Sequence, residues 1–493
     1  MPLPKNLEDI RIRIEEFARK ADLDFYEVIF ELLPWEEVNM IAAYGGFPNR
    51  YPHWRFGMEY EELSKGYSYG LQRIYEMVIN NDPCYAYLLD SNKEVDQKLV
   101  MAHVYAHCDF FKNNVYFSHT NRKMMDESAN HATRVKKYID KYGIDTVEQF
   151  IDVCLSIDNL IDIHSPYIKR PAYGSKVEES PSKAKKFNVN KEYMSHFINP
   201  DIEDKQPKKK EDETESNLKN ISYPIRDILL FLIQNAPLKE WQQDVLSIIR
   251  EEAYYFAPQG QTKIMNEGWA TFWHSRIMTT MALNDNELID YADHHSGTVA
   301  IQPGGFNPYK IGLELFRDIE ERWNKGRFGR DYEECEDMTR KRNWDLNLNQ
   351  GLQKVFEVRR LYNDITFIDE FMTEEFVRKN KLFTYAYNDE NNQYEIKSRE
   401  FMEVKRQLLF MLTNMGNPII SLIDDSFGKR QELLLKHQYE DVELHYDWAR
   451  ETLKNLYIIW KRPVNLWTVF KGKGTLLTFD GHEFSENPLK EPG

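Results

Sequence analysis

Apolar residues recur at helical spacing through two long stretches of this chain, and that spacing limits its fold more than any other feature. From Leu7 to about Ile163, and again from Pro224 to about Asn380, apolar positions fall three or four apart, while strand-like alternation is scarce. Leu7, Ile10, Ile14 and Phe17 form one stripe. Met124, Ser128, His131, Val135 and Tyr138 form a second, and Ile311, Leu315, Ile319 and Trp323 a third. The third has an explicit start. After the glycine turn at Gly304-Gly305, Asn307 can cap the free amides and Pro308 occupies the first helical turn.

Two regions break the pattern. The stretch 170–220 is rich in Lys, Glu, Ser and Pro and buries too little apolar surface to offset its ordering entropy, so it reads as a charged insertion or linker, with Tyr193, Phe197 and Ile198 as a docking spot. Beyond Leu382 short alternating runs appear. Leu382–Tyr387 with Gln393–Ser398 reads as a hairpin, Ile419–Asp424 and Glu432–Gln438 as strands, and Asn465–Phe470 with Gly474–Phe479 as a closing hairpin. Helices over Arg399–Leu412 and Tyr446–Trp460 complete this part. The expected organisation is therefore a mainly α protein: helical parts of one large domain at 1–169 and 221–380, the insertion between them, and a smaller α+β domain at 381–493. Hydrophobic residues make up 42% of the 493, enough for such interiors.

A formal net charge of −16 argues against nucleic acid and against an anionic membrane surface as partners. No stretch provides about 20 uninterrupted apolar residues for a membrane span, and the Met1-Pro2-Leu3-Pro4-Lys5 start lacks a signal-peptide core. Four scattered cysteines without a CxxC pair give neither a disulfide framework nor a thiolate zinc knuckle. The expected location is the cytoplasm.

Against this background, polar residues on the inward sides of three helices call for explanation. His103 and His107 stand one turn apart on the apolar side of a helix over about 94–114, the spacing that lets two imidazoles reach one ion. Packed core histidines are the competing reading. His131, with Glu127 one turn before it, lies within the second stripe. A third helix carries Met265-Asn266-Glu267-Gly268-Trp269-Ala270-Thr271-Phe272-Trp273-His274 with Glu267 facing inward, where an unpaired carboxylate is costly unless protonated, paired or on a metal. Glu267 and His274 are separated by roughly 10 Å along a helix axis, so His274 belongs behind the first ligands or at a second centre. His103, His107 and Glu267 make the best triad, following the logic of a gluzincin-type zinc hydrolase, and the Glu-Gly-Trp-Ala segment looks like the third-ligand helix of some gluzincin-like peptidases. The large helical domain is accordingly expected to be zincin-like, with a divalent metal, zinc favoured. The HExxH base position is occupied by Val104, which leaves Glu252, Glu127 and Asp109 as candidate bases and His295 or a tyrosine as candidate oxyanion donor. A di-iron arrangement using Glu127, His131, Glu252 and Glu267 is a further alternative.

The segments 102–114, 265–274, 303–309 and 463–468 together resemble the stage V sporulation protein R family along nearly the whole chain. The resemblance implies a cytoplasmic bacterial protein tied to endospore formation and the spore cortex peptidoglycan. Relatives occur in bacteria that do not sporulate, often encoded beside a serine protein kinase. It implies a process and supplies no reaction. Two expectations follow: a metal-dependent hydrolase cutting a peptide or amide bond in a cell-wall precursor or protein, or a non-enzymatic scaffold of cortex assembly whose metal site is structural or vestigial.

Overall fold

The computed structural model describes residues 3–69, 74, 76–168, 224–300, 306–388 and 391–492. The expected insertion at 170–220 and the turn at Gly304-Gly305 lie outside them. Helices dominate, and their buried positions follow the sequence stripes. Helix α1 (Lys5–Lys20) buries Leu7, Ile10, Ile14 and Ala18. Two further helices, α2 (Trp35–Ala43) and α3 (Trp54–Ser68), precede α4 (Glu94–Asn113), which is buried on every side from Gln97 to Phe111. A helix apolar or buried all round lies at the centre of its neighbours.

Alternation was expected to be scarce before Ile163, yet a three-stranded sheet stands there. Its order is β1 (Val28–Leu33), β3 (Cys84–Leu89), β2 (Glu76–Ile79), with β1 and β3 parallel and β2 antiparallel to β3. The central strand reads Cys-Tyr-Ala-Tyr-Leu-Leu and is buried at five of six positions, so no polar face marks it as a strand.

Helices α5 (Met124–Tyr142), α6 (Ile144–Leu155), α7 (Ile228–Asn235) and α8 (Glu240–Gln261) follow, then α9 (Lys263–Ile277), α10 (Leu288–Thr298) and α11 (Pro308–Lys325). Asn307 caps α11 by accepting from the Lys310 amide at 3.2 Å. Helices α12 (Gly351–Leu361) and α13 (Asp364–Phe371) and the hairpin β4 (Thr384–Asn388)–β5 (Gln393–Ser398) lead to α14 (Phe401–Leu412). A five-stranded sheet closes the chain in the order β10-β9-β8-β7-β6: β6 (Ile420–Phe427), β7 (Glu432–His437), β8 (Val464–Phe470), β9 (Lys473–Phe479) and β10 (Phe484–Pro488). Helix α15 (Tyr446–Trp460) makes the crossover between the parallel pair β7 and β8.

The two largest apolar cores organise most of these parts. One joins α1, β1, β3, α4, α9, α11, α12 and α13. The other joins α5–α8 to α15 and the inner face of the C-terminal sheet. An isolated bridge between Ile225 and Leu422 ties that sheet to the chain just before α7. No helix among the described residues is long and apolar enough to cross a membrane.

Candidate metal centre

Helices α4 and α9 cross in the first core, and three contacts fix their relation. The buried Asp364 carboxylate, at the start of α13, accepts from the Ile264 and Met265 amides at 2.8 and 2.9 Å, satisfying free donors at the start of α9. Asp109 on α4 accepts from Trp269 Nε1 on α9 at 2.9 Å and from the Asp24 amide at 2.8 Å. On its other side α9 meets α11 backbone to backbone. A Cβ on Gly268 would stand 2.4 Å from Gly312 Cα. Glycine at both positions permits that approach.

This crossing brings His103, His107 and Glu267 together, with one ligand-type atom from each lying within 4.8 Å of the others. The three residues are 5%, 6% and 6% exposed. Glu267 Oε2 is 3.6 Å from His103 Nε2 and 3.5 Å from His107 Nε2, too far for hydrogen bonds. It is a buried oxygen with no hydrogen-bond partner among the described residues. The second oxygen, Oε1, accepts from Lys263 Nζ at 2.6 Å. Ligand atoms about 2.0–2.1 Å from a tetrahedral ion stand roughly 3.4 Å apart, close to the two spacings between Glu267 Oε2 and the imidazoles.

The remaining ring nitrogens are engaged. His107 Nδ1 donates to Asn266 Oδ1 at 2.8 Å, and His103 Nδ1 meets His274 Nδ1 at 2.9 Å. Metal-ligating histidines use their second nitrogen in this way. Burial, then the neighbouring His103, lowers the His107 pKa to about 4 and so favours the neutral ring that a metal requires. Burial opposes ionisation of Glu267, yet His103, His107 and Lys263 hold its pKa below the usual carboxylate range. His274 is pushed far down, first by burial and then by His103 and His295.

Two further groups face the triad. Glu76, which opens strand β2, has its pKa raised by burial, with His103 opposing and Glu267 adding to the rise. The Tyr309 ring, in the first turn of α11, stacks over His103 at 6.2 Å, and its pKa is raised by burial and then by the Glu267 and Glu76 carboxylates. Tyr309 stood in a family segment without a role of its own, and Glu76 was not anticipated. The only signal for Glu76 was a carboxylate directly before the apolar run Met77-Val78-Ile79.

The other anticipated residues lie elsewhere. Glu252 sits 2.8 Å from Arg50 and 3.5 Å from His131 Nδ1, and Glu251 is 3.4 Å from His131 Nε2. This ion cluster belongs to α5 and α8, in the second core. Glu127 is also on α5, which packs on α6 and α8. The structure therefore separates the di-iron set: Glu127, His131 and Glu252 stand on α5 and α8, and Glu267 stands on α9 at the triad. Asp109 is taken up by Trp269, the Asp24 amide and Arg359. His295 stands one ring behind the triad, meeting His274 Nε2 at 3.2 Å.

This chain belongs to the SpoVR family: the model described as "SpoVR like protein" matches residues 3–417, which marks it as a sporulation-related protein. It is similar to the "Uncharacterized protein YcgB" of Escherichia coli (strain K12), with 31% identity over 484 residues, covering 92% of this chain and 90% of that protein. No solved structure matches.

Proposed function

We propose that this SpoVR-family protein carries a zincin-like, metal-dependent hydrolytic site acting on a peptide or amide bond in spore cortex peptidoglycan formation. The orphaned Oε2 of Glu267, buried between two imidazole Nε2 atoms, carries the reading. A buried oxygen without a donor is costly, and a cation held by all three atoms removes that cost. His103, His107 and Glu267 would hold it, and two imidazoles with one carboxylate suit zinc. When bound, such an ion polarises a carbonyl oxygen and makes water more acidic. Glu76 is the carboxylate positioned to accept a proton at the triad, the role Val104 leaves open. The Tyr309 hydroxyl would donate to the oxygen on which charge develops. A cytoplasmic substrate would be a cell-wall precursor or a protein, and a serine protein kinase is a candidate functional partner.

Val104 and the near closure of the triad favour a second reading, in which the ion is structural and the protein is a scaffold of cortex assembly. Metal analysis of the purified full-length chain separates the cases. Wild type should hold about one zinc per chain, and His103→Ala and Glu267→Ala far less. A wild-type protein without stoichiometric metal sinks both metal readings. Cleavage of a soluble muramyl-peptide precursor, lost in Glu76→Gln with zinc retained, supports the enzyme. Bound zinc without cleavage supports the scaffold.

A further inference from the structure

Three imidazoles run in series outward from the triad. His103 Nδ1 meets His274 Nδ1 at 2.9 Å, and His274 Nε2 meets His295 Nδ1 at 3.2 Å. His274 is buried on α9. His295 is half-buried on α10, with the Tyr291 ring stacked on it at 5.6 Å. Each contact needs one nitrogen with a proton and one without, so the rings cannot choose tautomers independently. For His103 to present a bare Nε2 toward Glu267, its proton must sit on Nδ1 and be donated to His274 Nδ1. That nitrogen must then be bare, which places the His274 proton on Nε2, donated to His295 Nδ1. Two settings satisfy both contacts, and this one alone leaves the His103 lone pair facing the triad; the reverse puts the His103 proton on Nε2, toward Glu267.

Helix α10 is held where His295 can close the series. Glu287, immediately before α10, pairs with the buried Lys98 at 2.8 Å, and His294 Nδ1 lies 2.9 Å from Asp96. Lys93 reaches Asp290 at 3.4 Å. All three of these partners come from α4 or its cap, the element that supplies His103 and His107.

We infer that His274 and His295 are positioning residues for the metal centre, a series of hydrogen bonds that holds His103 in its ligand tautomer and orientation. The inference rests on the metal-site reading above. It adds that an imidazole about two ring-lengths from the ion, on another helix and partly open to solvent, helps set the metal affinity. Loss of a hydrogen-bond partner behind a ligand typically weakens metal binding by 10–100-fold. His274→Ala should fall in that range, and His295→Ala, one step further out, near tenfold. His295→Gln offers an amide oxygen to the His274 N–H and should restore most of the affinity.

The test is titration of the metal-free full-length protein with zinc, and with cobalt(II) read by its visible absorption. Wild type, His274→Ala, His295→Ala and His295→Gln are compared, and the thermal melt of each metal-free protein is recorded. The expected result is weaker binding and an altered cobalt spectrum in His295→Ala, an unchanged metal-free melt, and rescue in His295→Gln. If His274→Ala fails to fold, the half-buried position 295 still decides. A folded His295→Ala that binds zinc as tightly as wild type overturns this inference and leaves the metal site standing. A wild type that binds neither ion overturns both.

Discussion

His131 has no exposed surface, and its two ring nitrogens lie 3.4 and 3.5 Å from Glu251 and Glu252. Burial alone would lower its pKa, but the two carboxylates outweigh it and raise the value to about 9, above the ordinary 6.5. A histidine raised in the folded state contributes stability fully below pH 6.5 and loses it as pH rises through about 9. Replacing it by Asn removes the cation that Glu251 and Glu252 share, leaving Glu252 with Arg50 alone and Glu251 to solvent. The substitution should cost on the order of 3 kcal/mol at pH 6 and progressively less above pH 9. Urea unfolding of wild type and His131→Asn at pH 6 and pH 9.5 checks this, and an equal difference at both pH values refutes it. Legibility at this scale was uneven. The His103/His107 pair could be seen because helical periodicity fixes which residues share a face. Glu267 could be seen because a carboxylate among inward positions is anomalous. Glu76 could not, because its position depends on a strand pairing with Leu88 that no local pattern encodes. The ion pairing of Glu252 with Arg50 was equally hidden, since the two residues are 202 positions apart.

At the scale of elements, the crossing of α9 and α11 decides where Glu267 points. Gly268 and Gly312 touch backbone to backbone, and no flexible side chain is available to give way. A methyl group at either position must push the helices apart. Gly268→Ala should therefore destabilise by about 3 kcal/mol or more, at or above the upper end of ordinary overpacking. It should also weaken zinc binding by displacing the adjacent Glu267. Denaturant unfolding with zinc titration measures both, and a Gly268→Ala protein as stable as wild type would show that the helices are not in contact there. The partner of Gly268 was not readable, since Gly312 stands on another helix. Helices α4, α5, α11 and α15 were readable because each carries a continuous stripe or a cap. The sheet β1-β3-β2 escaped because a strand covered on both faces reads as an uninterrupted apolar run, the pattern a buried helix also gives.

At the scale of the whole molecule, the two cores divide the labour. The first encloses the triad, and the second welds the C-terminal sheet to the central helices. Leu422, Leu433, Leu435, Leu453 and Leu466 bury themselves in the same cluster as Val153, Leu229 and Ile249. The family model ends at residue 417, just before β6, so the matched part alone would leave one side of that cluster in water. An exposed apolar patch larger than a few hundred Å² drives association in a soluble protein. A chain cut after Asn417 should therefore aggregate or bind a hydrophobic dye strongly, while the full-length protein does neither. The bridge between Ile225 and Leu422 and the contact of α15 with α6 argue the same way, because each crosses the cut. If the 1–417 fragment is soluble, melts cooperatively and binds zinc like the intact chain, the sheet is an independent appendage and the shared core is dispensable. If instead the fragment loses zinc along with its solubility, the second core supports the first, and the metal centre depends on a sheet that contributes no ligand to it.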